Sequence, residues 1–326
     1  MALPLGLTLA ILLPALIVAP HLAGLHRAAP TTAASVWVLA LAARALVSIG
    51  TALFVFVELP QTAAFRTIAA WCWHQVLPIV GQHLGVSGHP LGHAAVVLPG
   101  LALALSLLWL LFGLTRAWLA LRRLLARGIR RGPLGSTVVP DERVLVAVPA
   151  LGRGQILVSD GALDAMDDEE LRASLAHERA HVSRRHRPLL LLAALLCALA
   201  RPVPGTRAAE RQLVFNLERD ADECAVRCTR DPLALASAIC KAATTGGASP
   251  AVASLGGRGS TTLRVKLLLA GDECGPEVAA ERSARTLVAV LAVLVTALSL
   301  AVPAVMLGAP DAGAVVVQGS ELCYAL

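Results

Sequence analysis

Apolar and polar positions divide the chain into long apolar runs around one mixed middle section. Leu3 to Leu22 is apolar and uncharged, close to the ~20 residues a spanning helix needs. No basic residue precedes it, which argues against a cleaved signal peptide, whose start is normally positive. Further runs extend from Ala33 to Val57, Ala94 to Leu114 and Leu287 to Leu307, so the pattern predicts four transmembrane helices. Arg44 interrupts the second run. A charge at that depth has to pair, line a polar cavity or snorkel toward the surface, and snorkelling is the expectation.

The mixed section begins after Gly132-Pro133. Arg143 to Val148 and Gln155 to Ser159 read as two short strands turning through Gly152 and Gly154, and their edge offers a place for an extended peptide. Asp167, Asp168, Glu169 and Glu170 precede Leu171 and Leu175, which marks the start of a helix. Pro232 to Ala243 and Thr262 to Ala270 read as further helices, the latter carrying Arg264 and Lys266, with a linker from Gly246 to Ser260 between them. Pro188 to Ala200 is apolar but short of the ~17 residues a span requires. It is expected to be a buried or interfacial helix, with Pro202 and Pro204 turning the chain back.

Composition fits a polytopic membrane protein: 56% of residues are hydrophobic and 15% charged, with a mean hydropathy of +0.70, too apolar for a large soluble domain. The formal net charge is +6, but the arginines cluster beside apolar runs instead of interleaving with aromatics. An anionic membrane surface explains them better than nucleic acid does. Arg116, Arg122, Arg123, Arg127, Arg130 and Arg131, interleaved with leucines, read as a basic helix emerging from the third run. They and Arg282 and Arg285 place residues 116–285 in the cytoplasm by the positive-inside rule, with both termini outside.

Candidate chemistry sits in Ala176-His177-Glu178-Arg179-Ala180-His181. On a helix, imidazoles four residues apart share one face and can grip one zinc ion, and the carboxylate beside the first can take a proton from water. A third ligand is needed. In Leu217-Glu218-Arg219-Asp220-Ala221-Asp222, Glu218 and Asp222 share a face at i and i+4, offering an oxygen ligand and a carboxylate to orient a histidine. Cys224 points away from that face, so a cysteine site with Cys228 is disfavoured. Cys197, Cys240 and Cys274 are expected as free thiols in a reducing cytoplasm, whereas Cys72 and Cys323 both fall outside and can pair. His74, His83, His89 and His93 have no ligand spacing and read as loop histidines.

This pattern, HExxH followed by E-x-x-A-D-x-x-A on Glu218, Ala221, Asp222 and Ala225, resembles the membrane zinc metallopeptidases that include bacterial β-lactam-sensing antirepressor proteases. HtpX-like and CAAX-prenyl proteases are similar more distantly. The resemblance covers roughly residues 140–245. It implies one Zn²⁺ bound by His177, His181 and Glu218, with Glu178 as the catalytic base and Asp222 supporting a histidine. It implies as substrate a protein or peptide, either a cytoplasmic regulator or a membrane protein, cleaved in signal-dependent transcriptional control. In these families an acidic residue often follows HExxH, whereas here Arg184, Arg185, His186 and Arg187 stand there. An oxyanion beside the metal also needs a donor; His186 and Arg185 are nearby in sequence, but the sequence assigns the role to neither. No penicillin-binding domain follows the last run, so direct β-lactam sensing is not expected.

The fold class expected is therefore mainly α: a polytopic membrane protein with four transmembrane helices and a cytoplasmic zincin-like α+β metalloprotease domain between the third and fourth. Its parts are a membrane domain (1–115), a protease domain beginning with the basic helix (116–285), a fourth span (286–308) and a short extracytoplasmic tail (309–326). The alternative is a non-catalytic signalling or scaffold protein with a structural zinc site. The intact Glu178 counts against it, because a structural site needs no base.

Overall fold

The structure is a computed structural model and describes residues 17–57, 67, 89–126, 130–149, 155–244, 261–270 and 277–308. The expected span from Leu3 lies outside these up to residue 16, as do Cys72, Cys323, the Gly246–Ser260 linker and the tail after residue 308. Within them the chain is mainly helical: α1 Pro30–Val57, α2 His89–Ala126, α3 Asp160–Ala165, α4 Asp168–Ser183, α5 His186–Leu199, α6 Thr206–Thr229, α7 Pro232–Thr244, α8 Thr261–Ala270 and α9 Val278–Gly308. Three stretches are long and apolar enough to cross a membrane, Pro30–Val55, Leu98–Ala126 and Val278–Ala301.

Helices α1 and α9 start at one level. Glu281 of α9 accepts hydrogen bonds from the Ala29 N–H at 3.0 Å and the Thr32 hydroxyl at 2.8 Å. Alanines 33, 34, 40, 43, 280 and 284 are all buried in the core they share with α6, and such small residues let helix backbones approach closely in a membrane. From α6, Ala209, Leu213 and Leu217 fill the same core. The apolar stripe of α6 is thus spent on the span helices, which leaves its other face free for the polar site.

Arg44 does not snorkel. It is wholly buried in α1, its Nη2 lies 3.5 Å from the Ile17 carbonyl oxygen, and it and Glu210 both flank Cys197 of α5. The turn joining α5 to α6 stands at the same level, because a Cβ on Gly205 would touch Ile17 Cγ2 at 3.3 Å. Pro188–Ala200 is therefore one arm of a hairpin that goes in along α5 and returns along α6. This accords with the expectation that the segment does not span.

The sheet is small, in the order β1-β2-β4-β3, from Arg130–Arg131, Thr137–Val139, Leu157–Ser159 and Val146–Ala147 respectively. The expected pair appears as antiparallel β3 and β4, shorter than expected. Sequence reading missed β2, which runs parallel to β4, because three residues carry too little alternation to stand out. The basic helix also needs correction: α2 ends at Ala126, and Arg130 and Arg131 pair with Val138 and Thr137 as a strand. The chain reverses at Gly132, where a Cβ would collide with Ser136 and Val138. Leu121 and Leu124 of α2 pack on Val139 and Leu157, which ties the sheet to the end of a span helix.

Candidate metal centre

Helix α4 begins with a capping box: the Asp167 side chain accepts from the N–H groups of Glu169 and Glu170, while Glu170 accepts from the Asp167 N–H. The acidic cluster seen in the sequence is this start, satisfying N–H groups that a helix otherwise leaves open. Four residues apart on α4, His177 and His181 bring their Nε2 atoms within 3.1 Å of each other. Glu218 of α6 faces both, with Oε2 at 3.5 Å from His177 Nε2 and Oε1 at 3.5 Å from His181 Nε2. The two histidines are buried and Glu218 is half-buried. Among the described residues these three are the group whose donor atoms all lie within 4.8 Å of one another.

Each imidazole is held from behind. His177 Nδ1 is 2.9 Å from Asp222 Oδ1, near enough for an ion pair though off the line of a hydrogen bond. His181 Nδ1 is 3.0 Å from His186 Nδ1, and His186 Nε2 is 3.0 Å from Asp220 Oδ2. Asp222 thus stands behind His177. His186 has both ring nitrogens engaged behind His181, which makes it a support for that ring and no oxyanion donor. The acidic residue missing after the motif is supplied by Asp220, 34 residues on, through His186.

Arg264 of α8 was noted in the sequence without a role. Its Nε and Nη2 donate to the two oxygens of Asp222 at 2.8 and 2.7 Å, and its Nη1 lies 2.7 Å from Glu218 Oε2. Only tertiary packing reveals this, since 42 residues separate Arg264 from Asp222. Glu178 points to the sheet, accepting from the Val148 N–H at 2.8 Å, so the residue just past edge strand β3 fixes the carboxylate.

The electrostatics ask for one positive charge between the rings. Burial disfavours charge on both, yet Asp222 and Glu218 hold His177 above the ordinary imidazole range. His181 is pushed below it by burial and by the charges of His177 and His186, against the pull of Glu218. Burial lifts Glu178 to about 7, with Glu218 adding to the shift and His177 opposing it. Glu218 is held below the carboxylate range: burial opposes this, but Arg264 and the two histidines outweigh it.

The donor set fits a divalent ion. With Nδ1 of each ring turned to its support, the Nε2 atoms of two neutral rings and both oxygens of Glu218 converge as lone-pair donors, with Arg264 balancing Glu218 from one side. Two nitrogens each about 2.0–2.1 Å from one tetrahedral zinc stand about 3.3–3.4 Å apart, close to the separation seen here. With both rings neutral, as ligation requires, Glu178, Glu218 and Asp222 against Arg264 leave two negative charges, which a divalent ion balances.

Residues 147–212 match the model of peptidase family M48. The match covers the helix bearing His177 and His181 and ends before Glu218. No curated protein and no solved structure matches the chain. Peptidases of this family are typically zinc-dependent. Over this segment the chain is thus similar to an M48 metallopeptidase, and among the described residues three helices are long and apolar enough to cross a membrane.

Proposed function

We propose that this chain is an integral-membrane zinc endopeptidase whose catalytic domain faces the cytoplasm. One observation carries the reading: His177, His181 and Glu218 converge from two helices beside Glu178, a carboxylate that the geometry does not use as a ligand.

His177, His181 and Glu218 would hold a zinc ion, with Asp222 and His186 fixing the two rings. Bound there, zinc would supply Lewis-acid polarisation of a peptide carbonyl and a more acidic water. Glu178 takes the proton of the attacking water and delivers it to the leaving amine. The Val148 N–H keeps that carboxylate pointed in one direction while burial keeps it a competent base near neutral pH. β3 is the edge of the sheet, so an extended substrate can add to it as a further strand next to Glu178.

The layout proposed is four spans, with residues 116–285 in the cytoplasm and both termini outside. The α5–α6 hairpin supports it, since it lets both halves of the metal site return to one side. The substrate class proposed is a cytoplasmic regulator or a membrane protein, cleaved as part of a signalling response.

The test is Glu178→Gln in the full chain. It should retain one zinc per chain by metal analysis and lose all cleavage, self-cleavage included. Cleavage at the parental rate would refute the reading. A chain that never cleaves and merely unfolds on zinc removal would mark the site as structural.

A further inference from the structure

A second cavity lies away from the metal. It has a volume of about 720 Å³ between α2, α5 and the start of α6. Its α2 wall runs from Ser106 through Trp109, Gly113 and Ala117 to Leu121, a length of about 22 Å at 1.5 Å per residue. The opposite wall, from α5, is apolar as well, with Leu191, Ala194 and Ala198. At one end stand Arg201, Arg207 and Arg211, with Glu210 as the acidic residue among the lining.

This polar end is level with Arg44, because the α5–α6 turn and Arg44 share Ile17 as a neighbour. Arg44 lies 12 residues beyond Thr32, about 18 Å along the helix, and so well inside the apolar length of α1. Charges at that depth require balance, by pairing or by drawing water and headgroups inward. Among the described residues, none of Arg201, Arg207 and Arg211 has a carboxylate within ion-pair distance; Arg207 and Arg211 are near enough to act on Glu210, which also hydrogen-bonds with Cys197. Three guanidiniums against one carboxylate leave the cavity positive.

The geometry points to an anionic phospholipid as its occupant, with the phosphate on Arg201, Arg207 and Arg211 and an acyl chain along the trough of α2. Two observations favour a lipid over a protein helix. The wall belongs to a helix that faces outward, with Trp109 and Leu105 exposed, so the cavity is continuous with the surface that lipid covers. Its volume is also that of a small-molecule site, whereas a ten-residue helix with its side chains fills roughly 1,200 Å³. The bilayer's phosphates supply the missing charge.

The test is native mass spectrometry of the full chain in detergent, titrated with phosphatidylglycerol or phosphatidylcholine. The parent should retain one phosphatidylglycerol in preference to phosphatidylcholine. Each arginine is expected to contribute roughly fivefold, from about 1 kcal/mol per basic residue near anionic lipid. The triple change Arg201→Gln, Arg207→Gln and Arg211→Gln should abolish the preference. Gly113→Leu should block the trough and release both lipids; a Cβ at this position meets nothing within 4 Å. Circular dichroism and zinc content serve as fold controls. Equal retention of the two lipids by the parent, or unchanged retention in correctly folded variants, would overturn the proposal. So would an acidic transmembrane peptide that displaces the lipid and binds more tightly.

Discussion

Arg264 grips Asp222 with two parallel hydrogen bonds, Nε to Oδ2 at 2.8 Å and Nη2 to Oδ1 at 2.7 Å. Asp222 is buried and Arg264 half-buried, and the same guanidinium reaches Glu218. One cation thus positions both carboxylates that face the histidines. A fork of this kind depends on the planar guanidinium.

Arg264→Lys should therefore behave much like Arg264→Met. Both are expected to lower zinc affinity by roughly 10–100-fold, the usual cost of losing a group that orients ligands. Competition with a chromogenic chelator measures this, and a Lys variant with parental affinity would refute the role.

His186→Gln and Asp220→Asn should each weaken zinc binding over that same range of roughly 10–100-fold. Because His181, His186 and Asp220 form one chain of contacts, the double variant should lose little more than either single one. A double-mutant cycle with additive losses would show that the contacts do not act together.

Stability should fall in acid through Glu170. Burial works against its ionisation, but hydrogen bonds from Lys241, Ser237 and the Asp167 N–H outweigh it, so its folded-state pKa lies below the ordinary value. The sign follows: the contribution is present above the unfolded pKa and is lost as pH falls through the folded one. Glu170→Gln should flatten the loss of melting temperature below about pH 4.5 and cost about 1–3 kcal/mol near neutrality, since the buried hydrogen bonds from Ser237 and the Asp167 N–H lose a charged acceptor. Thermal melts across pH read both effects.

Removing zinc with a chelator should lower the melting temperature of the parent and of Glu178→Gln alike. With free zinc at 100 times Kd, the difference is about 2.7 kcal/mol. A smaller shift in Glu178→Gln would mean that Glu178 binds the metal.

Leu213→Ala should destabilise the protein by about 2–5 kcal/mol. Leu213 is fully buried where α6 meets the span helices, and the change leaves a cavity there. Urea unfolding followed by circular dichroism tests it. A small cost would show that α6 is not anchored through this contact.

The span helices, the helix carrying His177 and His181, and the face shared by Glu218 and Asp222 were legible in the sequence. Each is a local periodicity: long apolar runs set by bilayer thickness, and side chains at i and i+4 set by the helical repeat. The capping box at Asp167 is equally local. Short strands β1 and β2 escaped because two and three residues carry too little alternation to stand out, and β2 is fixed by pairing with the more distant β4. Tertiary structure alone decided that Arg44 is buried beside Cys197, that His186 backs His181 with Asp220 behind it, and that Arg264 closes the site from α8. Apart from His186 on His181, those contacts link residues 34 to 153 positions apart, and no spacing along the chain encodes which buried charge will find which partner.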